Sequence, residues 1–372
     1  MVTAALSVAV IGGGIIGCAT AHELAKRGCR VTVLERGTPG GESSSAAAGM
    51  LSPLGSSPDL DPYHRLALES WRLYPGVVAE LREVTGIDVE HETAGGLHPL
   101  EGARELEAAQ QRLGWPLAGE LGLEILEGSD LRAREPALSK DVDAALLVRG
   151  DHWVNNQRLA TAYAQAAAAR GVAVHVGVEV GRILVDGGRA TGVLVDGQPL
   201  RADAVLLAAG AWSGALAASI GVRLPVGPMR GQMLAVANVP RLLTHVIHGE
   251  DVYLVPRPSG ELLIGATVEH AGFVRAVTPE GLGGLITAGV RLVPEIARRP
   301  ITRSWCGFRP WAADGLPVLG PWPEVSGLYV ATGHYRNGIL LAPVTASVMT
   351  RCIVDGDTPS SITQFLPSRF SR

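Results

Sequence analysis

The sequence predicts an α/β fold in which a parallel-sheet unit is interrupted by an antiparallel sheet. Three observations carry this prediction. Residues 7–35 follow the order strand, glycine-rich turn, helix and strand, which is the pattern of a βαβ unit. A strand at Leu328–Ala331, a glycine-containing turn and a helix from Ile339 repeat that pattern near the end of the chain. Between them, strands at Val252–Pro256 and Glu261–Ala266 flank a Pro-Ser-Gly turn, as in an antiparallel hairpin.

Composition narrows the class of protein. The 372 residues include 32 Lys and Arg against 36 Asp and Glu, and the net charge of −4 argues against nucleic acid as the main partner. Hydrophobic residues make up 47% of the chain and charged residues 18%, which excludes disorder as the dominant state. The four cysteines have neither CxxC nor zinc-site spacing, so we expect no structural metal and a reducing, cytoplasmic location. The first basic residue is Lys26, and we expect no signal peptide.

An uncharged run of 19 residues, Ala204–Val222, is long enough to cross a bilayer. Its pattern fits a buried strand at Ala204–Ala209, a turn at Gly210 and a helix at Trp212–Ile220 better. The sequence therefore predicts no membrane span.

Other segments have a clear helical or strand pattern. Cys18–Arg27, Pro62–Thr85 and Asn155–Arg170 are predicted helices, and Arg30–Leu34 is a predicted strand. Ala46–Leu51 follows a Gly/Ser-rich loop and is expected to begin a helix.

The first turn carries the fingerprint G-x-G-x-x-G at Gly12, Gly14 and Gly17. A strand precedes it, a helix follows it, and Glu35 lies 18 residues beyond the last glycine, at the end of the next strand. In this arrangement the glycines admit a pyrophosphate to the helix N-terminus, and the carboxylate accepts hydrogen bonds from a ribose. The fingerprint predicts a dinucleotide cofactor and does not by itself separate NAD from FAD.

Two features favour FAD. The chain has no second G-x-G-x-x-G, hence no separate nicotinamide site, and the electrons would come from an organic substrate. The segment 204–213 also resembles the second nucleotide-binding motif of flavoprotein oxidases.

The chain resembles the D-amino-acid-oxidase superfamily of FAD oxidases, and within it the glycine oxidases of thiamine biosynthesis. The similarity runs nearly end to end, through Val10–Gly17, Gly40–Leu51, Asp251–Gly265, Gly307–Gly320 and Ala331–Pro343. Ala-Ala-Ala-Gly-Met-Leu at 46–51 and Gly-His-Tyr-Arg-Asn-Gly at 333–338 are the most specific segments.

The resemblance implies a Rossmann-like FAD-binding domain with an inserted antiparallel-sheet substrate domain. We expect the FAD-binding domain to comprise residues 1–86, 140–225 and 300–372, and the substrate-binding domain to comprise 87–139 and 226–299. The resemblance further implies that FAD is held non-covalently. Fingerprint and resemblance together place the following residues on the cofactor: Gly12, Gly14, Ile15, Ile16, Gly17, Glu35, Arg36, Ser43, Ser44, Ala48, Gly49, Met50, Val180, His334, Tyr335, Arg336, Asn337, Gly338, Ile339 and Leu340.

At the substrate end, the resemblance implies that Arg309 and Arg336 hold the substrate, with Tyr253 nearby. A chemical argument supports the arginines, because a planar guanidinium binds the carboxylate of an amino acid through two parallel hydrogen bonds. Tyr253 alternates with apolar neighbours in a predicted strand, so a buried core tyrosine is an alternative to a substrate ligand.

Several residues leave alternatives open. Asp251 either attracts the substrate ammonium or is a solvated charge. Cys306 is either a buried inert thiol or the counterpart of the cysteine that carries a covalent flavin in sarcosine oxidases. His334 is either a cation beside the flavin or a hydrogen-bonded structural residue. Lys26 and Lys140 lie in the first βαβ unit and at a domain boundary, so neither is an evident counterpart of the oxygen-activating lysine of those enzymes.

The expected reaction is oxidative deamination of glycine or a similar small amino acid, by hydride transfer from the α-carbon to flavin N5. Molecular oxygen would be reduced to hydrogen peroxide, and the imine would be hydrolysed or captured in thiazole synthesis. No residue is required as a base. Alternatives are a D-amino-acid or secondary-amine oxidase, a quinone-reducing dehydrogenase, a non-catalytic flavin-binding sensor and a tRNA-modifying oxidase domain. A homotetramer is expected from the resemblance alone.

Overall fold

The computed structural model describes residues 5–55 and 57–370, and it contains the predicted parallel and antiparallel sheets. In chain order the strands are β1 (Ser7–Ile11), β2 (Arg30–Glu35), β3 (Met50–Leu51), β4 (Gly96–Leu100), β5 (Leu123–Glu127), β6 (Ala144–Val148), β7 (His152–Trp153), β8 (Ala173–Val176), β9 (Val180–Asp186), β10 (Arg189–Val195), β11 (Gln198–Arg201), β12 (Ala204–Leu207), β13 (Val226–Ala237), β14 (Val246–His248), β15 (Tyr253–Pro256), β16 (Glu261–Gly265), β17 (Ile301–Ala312), β18 (Val318–Pro321) and β19 (Leu328–Thr332).

The α-helices lie between some of these strands. They are α1 (Ile15–Lys26), α2 (Ser43–Ala46), α3 (Pro62–Thr85), α4 (Ala103–Leu113), α5 (Gly128–Arg134), α6 (Asn156–Ala169), α7 (Ser213–Ala218), α8 (Pro279–Leu292) and α9 (Ala342–Val354). Short 3₁₀ turns lie at Gly210–Trp212, Pro294–Arg298, Ser360–Phe365 and Pro367–Phe370.

The first sheet has six strands in the order β18-β19-β12-β1-β2-β8. All its pairings are parallel except that of β18 with β19. The carboxyl ends of β1, β2 and β12 therefore lie at one edge, beside the order reversal where open α/β sheets bind their ligands.

Successive side chains of β1 point to opposite faces of this sheet, and each face is covered by a different hydrophobic core. Val8 and Val10 belong to a core formed with helices α1, α3, α6 and α9, while Ala9 and Ile11 belong to a core formed with the three-stranded sheet β9–β11. Because both faces are covered, the strand is apolar at every position.

The second sheet has eight strands in the order β17-β13-β16-β15-β14-β4-β6-β5. It is largely antiparallel, as predicted, and only β14 and β4 pair in parallel. Leu97, Ile247, Leu254 and Ile264 pack on one face with α8. The opposite face, which carries the alternate residues, turns toward the first sheet's ligand edge.

Sheet membership differs from the expected boundaries at two strands. Strands β6 and β17 pair within the second sheet, although the boundaries at 140 and 300 placed them with the first unit. Strand β17 pairs with β13 along its whole length, from Ala312 opposite Val226 to Ile301 opposite Val236. Such pairing between distant segments is invisible in either segment alone. The division into two domains itself stays a prediction.

Helix α1 begins at Ile15, three residues before the predicted Cys18. Two other predicted helix starts were wrong because of contacts between segments distant in sequence. Residues 46–51 do not begin a helix, because Gly49 adopts φ +72° and Met50 pairs with Trp153 in a two-stranded sheet. Helix α9 begins at Ala342 rather than at Ile339, where a hydrogen-bonded turn precedes it.

Other local predictions were confirmed. Helix α3 spans Pro62–Thr85, with Asp61 capping its N-terminus and Gly86 ending it at φ +72°. The uncharged segment Ala204–Val222 contains strand β12, a 3₁₀ turn and the short helix α7. Within residues 5–55 and 57–370, no helix has both the length and the apolar character needed to cross a bilayer.

Candidate active site

The glycines of the first turn have different structural duties. Gly12 adopts φ +103°, and a Cβ there would lie 2.6 Å from the Ala208 carbonyl oxygen of the neighbouring strand. Gly17 packs directly against the turn, since a Cβ added there would collide with the Gly12 carbonyl oxygen. These two glycines are required by the protein's own packing.

Gly14 is different, and it provides the test of whether the site fits a dinucleotide. Its φ is −69°, and the nearest atom to an added Cβ is the Ser44 hydroxyl at 3.5 Å, which is ordinary contact. None of the described residues packs closely enough to demand a glycine here. The residue lines a cavity at the N-terminus of α1, where a side chain would occupy the space that a phosphate needs. The turn therefore fits the pyrophosphate of a dinucleotide such as FAD.

Glu35 lies where the fingerprint places it. One carboxylate oxygen accepts the Gly13 N–H and the other accepts the Gly37 N–H, both at 2.7 Å. The carboxylate also lines the cavity. With about four acceptor sites in total, it keeps capacity for ribose hydroxyls.

The loop at 43–50 is held from two sides. Asn156, at the start of α6, donates to the Ser44 and Ser45 carbonyl oxygens at 2.6 and 3.1 Å. Arg257, from the end of the β15–β16 hairpin, donates to the Ala48 carbonyl oxygen at 2.7 Å and to that of Val154 at 2.9 Å. The Arg257 guanidinium is buried over the Trp153 ring. Burial lowers the pKa of Arg257 to about 10, so the group stays charged at neutral pH.

The second turn, residues 334–340, is fastened by helix α3. The Tyr74 hydroxyl donates to the Ile339 carbonyl oxygen at 2.5 Å, and the Ser70 hydroxyl donates to that of Leu340 at 2.6 Å. The Asn337 amide donates to the Tyr63 hydroxyl. The helix thus presents this turn to the cavity as a fixed surface.

One cavity of about 960 Å³ joins these parts. Of the predicted cofactor residues, eighteen line it: Gly12, Gly14, Ile15, Ile16, Glu35, Arg36, Ser43, Ser44, Ala48, Gly49, Met50, Val180, His334, Tyr335, Arg336, Asn337, Gly338 and Ile339. Gly17 and Leu340 do not line it, because the first packs within the turn and the second is fully buried beneath it.

Arg309 lies at the far end of the same cavity, on β17. Its Nη1 donates to the Thr267 carbonyl oxygen at 2.9 Å. Gly231, on the adjacent strand, leaves the room for the guanidinium, since a Cβ there would collide with it. The backbone contact fixes the side chain without neutralising its charge.

Arg336 and Tyr253 join Arg309 at this end. The Tyr335 N–H donates to the Pro310 carbonyl oxygen at 2.9 Å, which brings the turn carrying Arg336 to the strand carrying Arg309. Burial raises the pKa of Tyr253, and the charges of Arg309 and Arg336 oppose that rise. Among the described residues, neither guanidinium has a carboxylate within 4 Å. The three side chains form a cationic pocket suited to a carboxylate.

The structure bears on the open alternatives. Asp251 is exposed and lines the cavity mouth. His334 is buried, lies 3.0 Å from the Thr345 hydroxyl, and has its pKa lowered by burial to about 3, so it is neutral at pH 7. Cys306 is buried and does not line the cavity, and neither do Lys26 and Lys140.

Sequence reasoning missed several cavity residues. Gly231 and Gly265 clear space for Arg309 and for the Tyr253 ring. Trp212 lines the cavity with the Arg36 guanidinium 3.9 Å from its ring centroid. The residue spacing carries no signal for Gly231 or Trp212, because their contacts with Arg309 and Arg36 join segments that are distant in sequence. Gly265 faces Tyr253 across the β15–β16 hairpin.

Comparisons with known proteins agree with this geometry. The model of the FAD dependent oxidoreductase family, DAO, matches residues 7–352. Glycine oxidase of Geobacillus kaustophilus is 38% identical over 366 residues, which cover 97% of this chain and 96% of that protein. The bifunctional protein ThiO/ThiG of Trichormus variabilis is 37% identical over 98% of this chain, and the chain spans 55% of its length.

The fold comparison gives the same answer. The crystal structure of glycine oxidase from Geobacillus kaustophilus superposes with a TM-score of 0.90 at 36% identity, covering 97% of this chain and 98% of that one. A family match of this extent, on a chain whose cavity fits FAD, settles the class of protein. The chain belongs to the DAO family of FAD-dependent oxidoreductases and is an FAD-dependent oxidase of the glycine oxidase type.

Proposed function

We propose that this oxidase deaminates glycine or a similarly small amino acid. The overall reaction consumes the amino acid, O₂ and water, and yields the oxo acid, ammonia and H₂O₂. The observation that most directly supports this proposal is the pocket formed by Arg309, Arg336 and Tyr253 in the cavity that fits the dinucleotide. Relatives named glycine oxidase support this substrate class.

The protein's own part in the reaction is mainly positioning. Arg309, fixed by the Thr267 carbonyl oxygen, binds the substrate carboxylate, and Arg336 adds a second positive charge. Because the carboxylate is held, the α-carbon has a fixed orientation. The entropy lost in orienting the substrate is therefore offset by binding energy before the reaction begins. When bound, FAD supplies the acceptor for the substrate's two electrons and passes them to O₂.

We further propose that FAD is held non-covalently. The cysteine considered for a covalent bond, Cys306, does not line the cavity. The Gly14 turn, the Glu35 carboxylate and the turn at 334–339 supply polar contacts that could hold the cofactor without a covalent bond.

Charge at the cavity mouth supports a zwitterionic substrate. Glu250 and Asp251 both line the cavity, while Arg309 and Arg336 form its cationic pocket. A carboxylate drawn to the arginines and an ammonium drawn to the acids would suit this pattern. Met233 and Tyr253, which contact each other, also line the cavity.

Service to thiamine thiazole synthesis is a proposal that rests on the ThiO/ThiG relatives. The homotetramer and the cytoplasmic location likewise stay predictions.

The test is an anaerobic titration of the purified yellow protein with glycine, following the visible flavin band, with air admitted at the end. We expect the band to bleach, and to return in air with one equivalent of peroxide. If D-alanine or sarcosine bleaches the band and glycine does not, the protein is instead a D-amino-acid oxidase or a secondary-amine oxidase. Bleaching without return in air would instead support a dehydrogenase.

A further inference from the structure

The Thr267 carbonyl oxygen that fixes Arg309 is available because of an irregular pairing between two strands. Beyond Gly265, at the end of β16, the chain continues beside β13, and the Thr267 N–H donates to the Gln232 carbonyl oxygen at 3.2 Å. In a regular antiparallel pair the bond is returned, from the second residue's N–H to the first residue's carbonyl oxygen. Here the Gln232 N–H donates instead to the Thr267 hydroxyl, at 2.8 Å. The hydroxyl thus takes the place of the carbonyl oxygen of its own residue.

The freed carbonyl oxygen holds the guanidinium of the substrate pocket. It accepts a hydrogen bond from Arg309 Nη1 at 2.9 Å, and Arg309 reaches it from β17, which lies on the other side of β13. Arg309 Nη1 lies farther from the Arg230 carbonyl oxygen, at 3.4 Å, which is a weaker contact. The Thr267 carbonyl oxygen is therefore the firmer of the two backbone contacts that orient this side chain.

Glu269 fixes the direction of the hydroxyl. The Thr267 hydroxyl donates its single proton to Glu269 Oε1. An ionised carboxylate can only accept hydrogen bonds, so the proton must point toward it, and the hydroxyl keeps its lone pairs for another donor. These lone pairs are consequently available to the Gln232 N–H.

Two further side chains hold this carboxylate in its ionised form. Arg230 Nε and Nη2 both donate to Glu269 Oε2, the former at 3.0 Å, and Gln232 Nε2 donates to Oε1 at 2.8 Å. Burial would raise the pKa of Glu269, but the hydrogen bonds from the Thr267 hydroxyl and from these two side chains outweigh it and lower the pKa below its usual value. Neither Arg230 nor Glu269 lines the cavity, so the ion pair lies behind the pocket.

We propose that the Thr267 hydroxyl positions Arg309 for the substrate carboxylate. It takes the hydrogen bond that its own carbonyl oxygen would otherwise accept, and so leaves that oxygen to orient the guanidinium. Glu269 and Arg230 keep the hydroxyl in this role. Without the hydroxyl, the buried Gln232 N–H would take the carbonyl oxygen back, because buried N–H groups rarely lack an acceptor. This inference rests on the proposed amino acid substrate.

The test uses Thr267→Val, which removes the hydroxyl and keeps the branched shape, and Thr267→Ser, which keeps the hydroxyl. Thr302→Val is the matched control. The Thr302 hydroxyl also donates to a carboxylate that is paired with an arginine, Glu261 with Arg303, but it lies in a part of the second sheet that does not line the cavity. Acetate is the probe of carboxylate binding, and its dissociation constant from each holoenzyme is measured by the visible flavin spectrum.

We expect the dissociation constant of acetate to rise about 10-fold in Thr267→Val, the effect of losing one hydrogen bond to a charged group. In Thr267→Ser and Thr302→Val it should stay within about 2-fold of wild type, because each keeps the hydroxyl beside Gln232. The kcat/KM for glycine should follow the same order, and the affinity for FAD should be the same in all three variants. Unchanged acetate binding in Thr267→Val, or an equal loss in Thr267→Ser, would overturn the inference.

A double-mutant cycle separates positioning from general structural damage. Because the proposed effect passes through Arg309, Thr267→Val should add nothing to the loss of acetate affinity that Arg309→Met causes. Additive losses would show that Thr267 acts elsewhere and would overturn the inference. If Arg309→Met by itself leaves acetate binding unchanged, the proposed carboxylate pocket is wrong, and the inference fails with it.

Discussion

The guanidinium of Arg257 donates a hydrogen bond to the carbonyl oxygen of Ala48 at 2.7 Å. One residue lies at the end of a hairpin in the eight-stranded sheet, and the other lies in the cofactor loop at 43–50. The contact joins the sheet that carries the substrate pocket to the loop that borders the dinucleotide.

This contact predicts that Arg257 is needed for cofactor affinity. Arg257→Met removes three donated hydrogen bonds, to Ala48, Val154 and Asn156, and leaves their acceptors buried. At about 1.5–3 kcal/mol for a charged hydrogen bond, the dissociation constant of FAD should rise roughly 10- to 100-fold, measured by flavin fluorescence. Arg303→Met, at an exposed arginine paired with Glu261, is the control. Equal affinities in the two variants would contradict the role.

The two glycines of the first turn should separate folding from cofactor binding. Gly14→Ala fits within the protein and intrudes only on the cavity, so the apoprotein should keep its urea midpoint while the FAD dissociation constant rises roughly 10-fold or more. Gly12→Ala meets the Ala208 carbonyl oxygen at φ +103° and should destabilise the apoprotein itself. Loss of apoprotein stability in Gly14→Ala would show that the glycine serves packing instead.

Arg309 should dominate substrate binding. Arg309→Lys replaces a two-pronged donor with a point charge on a side chain of shorter reach, and Arg309→Met removes the charge. We expect kcat/KM for glycine to fall about 100-fold or more in the methionine variant, equivalent to about 3 kcal/mol, with FAD affinity unchanged. Steady-state peroxide assays give the first quantity and fluorescence the second. If only the affinity for FAD falls, Arg309 does not bind the substrate.

Tyr253→Phe separates a substrate ligand from a core residue. The hydroxyl lies 3.6 Å from the Met233 sulfur, a weak contact whose loss should leave the urea midpoint unchanged. If the hydroxyl binds the substrate carboxylate, KM for glycine should rise about 5-fold, the worth of one hydrogen bond. An unchanged KM would assign the tyrosine to packing.

His334 should make the protein acid-sensitive. Its folded pKa of about 3 lies below the unfolded value near 6.5, so between these pH values the unfolded chain binds a proton that the folded chain does not. The stabilisation is complete above pH 6.5 and is lost as the pH falls toward 3. Between pH 7 and 5.5 this one group should cost about 1 kcal/mol. Urea unfolding of His334→Gln should show a correspondingly smaller drop, and the exposed His270→Gln should match wild type.

The nucleotide end of the site could be predicted because its signals are local. Gly12, Gly14 and Glu35 lie within one βαβ unit, where strand, turn and helix follow from the order of residue types. The helix at Pro62–Thr85 was predictable for the same reason, from an aspartate cap at one end and a glycine at the other. Two of the wrong helix starts lie where tertiary contacts prevail over local pattern: Gly49 faces the Val154 carbonyl oxygen, and the turn before α9 is bonded to α3.

By itself, the sequence determined the class of fold, the dinucleotide turn and the arginines that suit a carboxylate. The tertiary structure alone decided which strands complete the second sheet, that Gly231 makes room for Arg309, and that Thr267 holds the Arg309 guanidinium. The reason is physical. A turn or a helix is specified by neighbours in sequence, whereas a pocket is formed by side chains that the pairing of distant strands brings together.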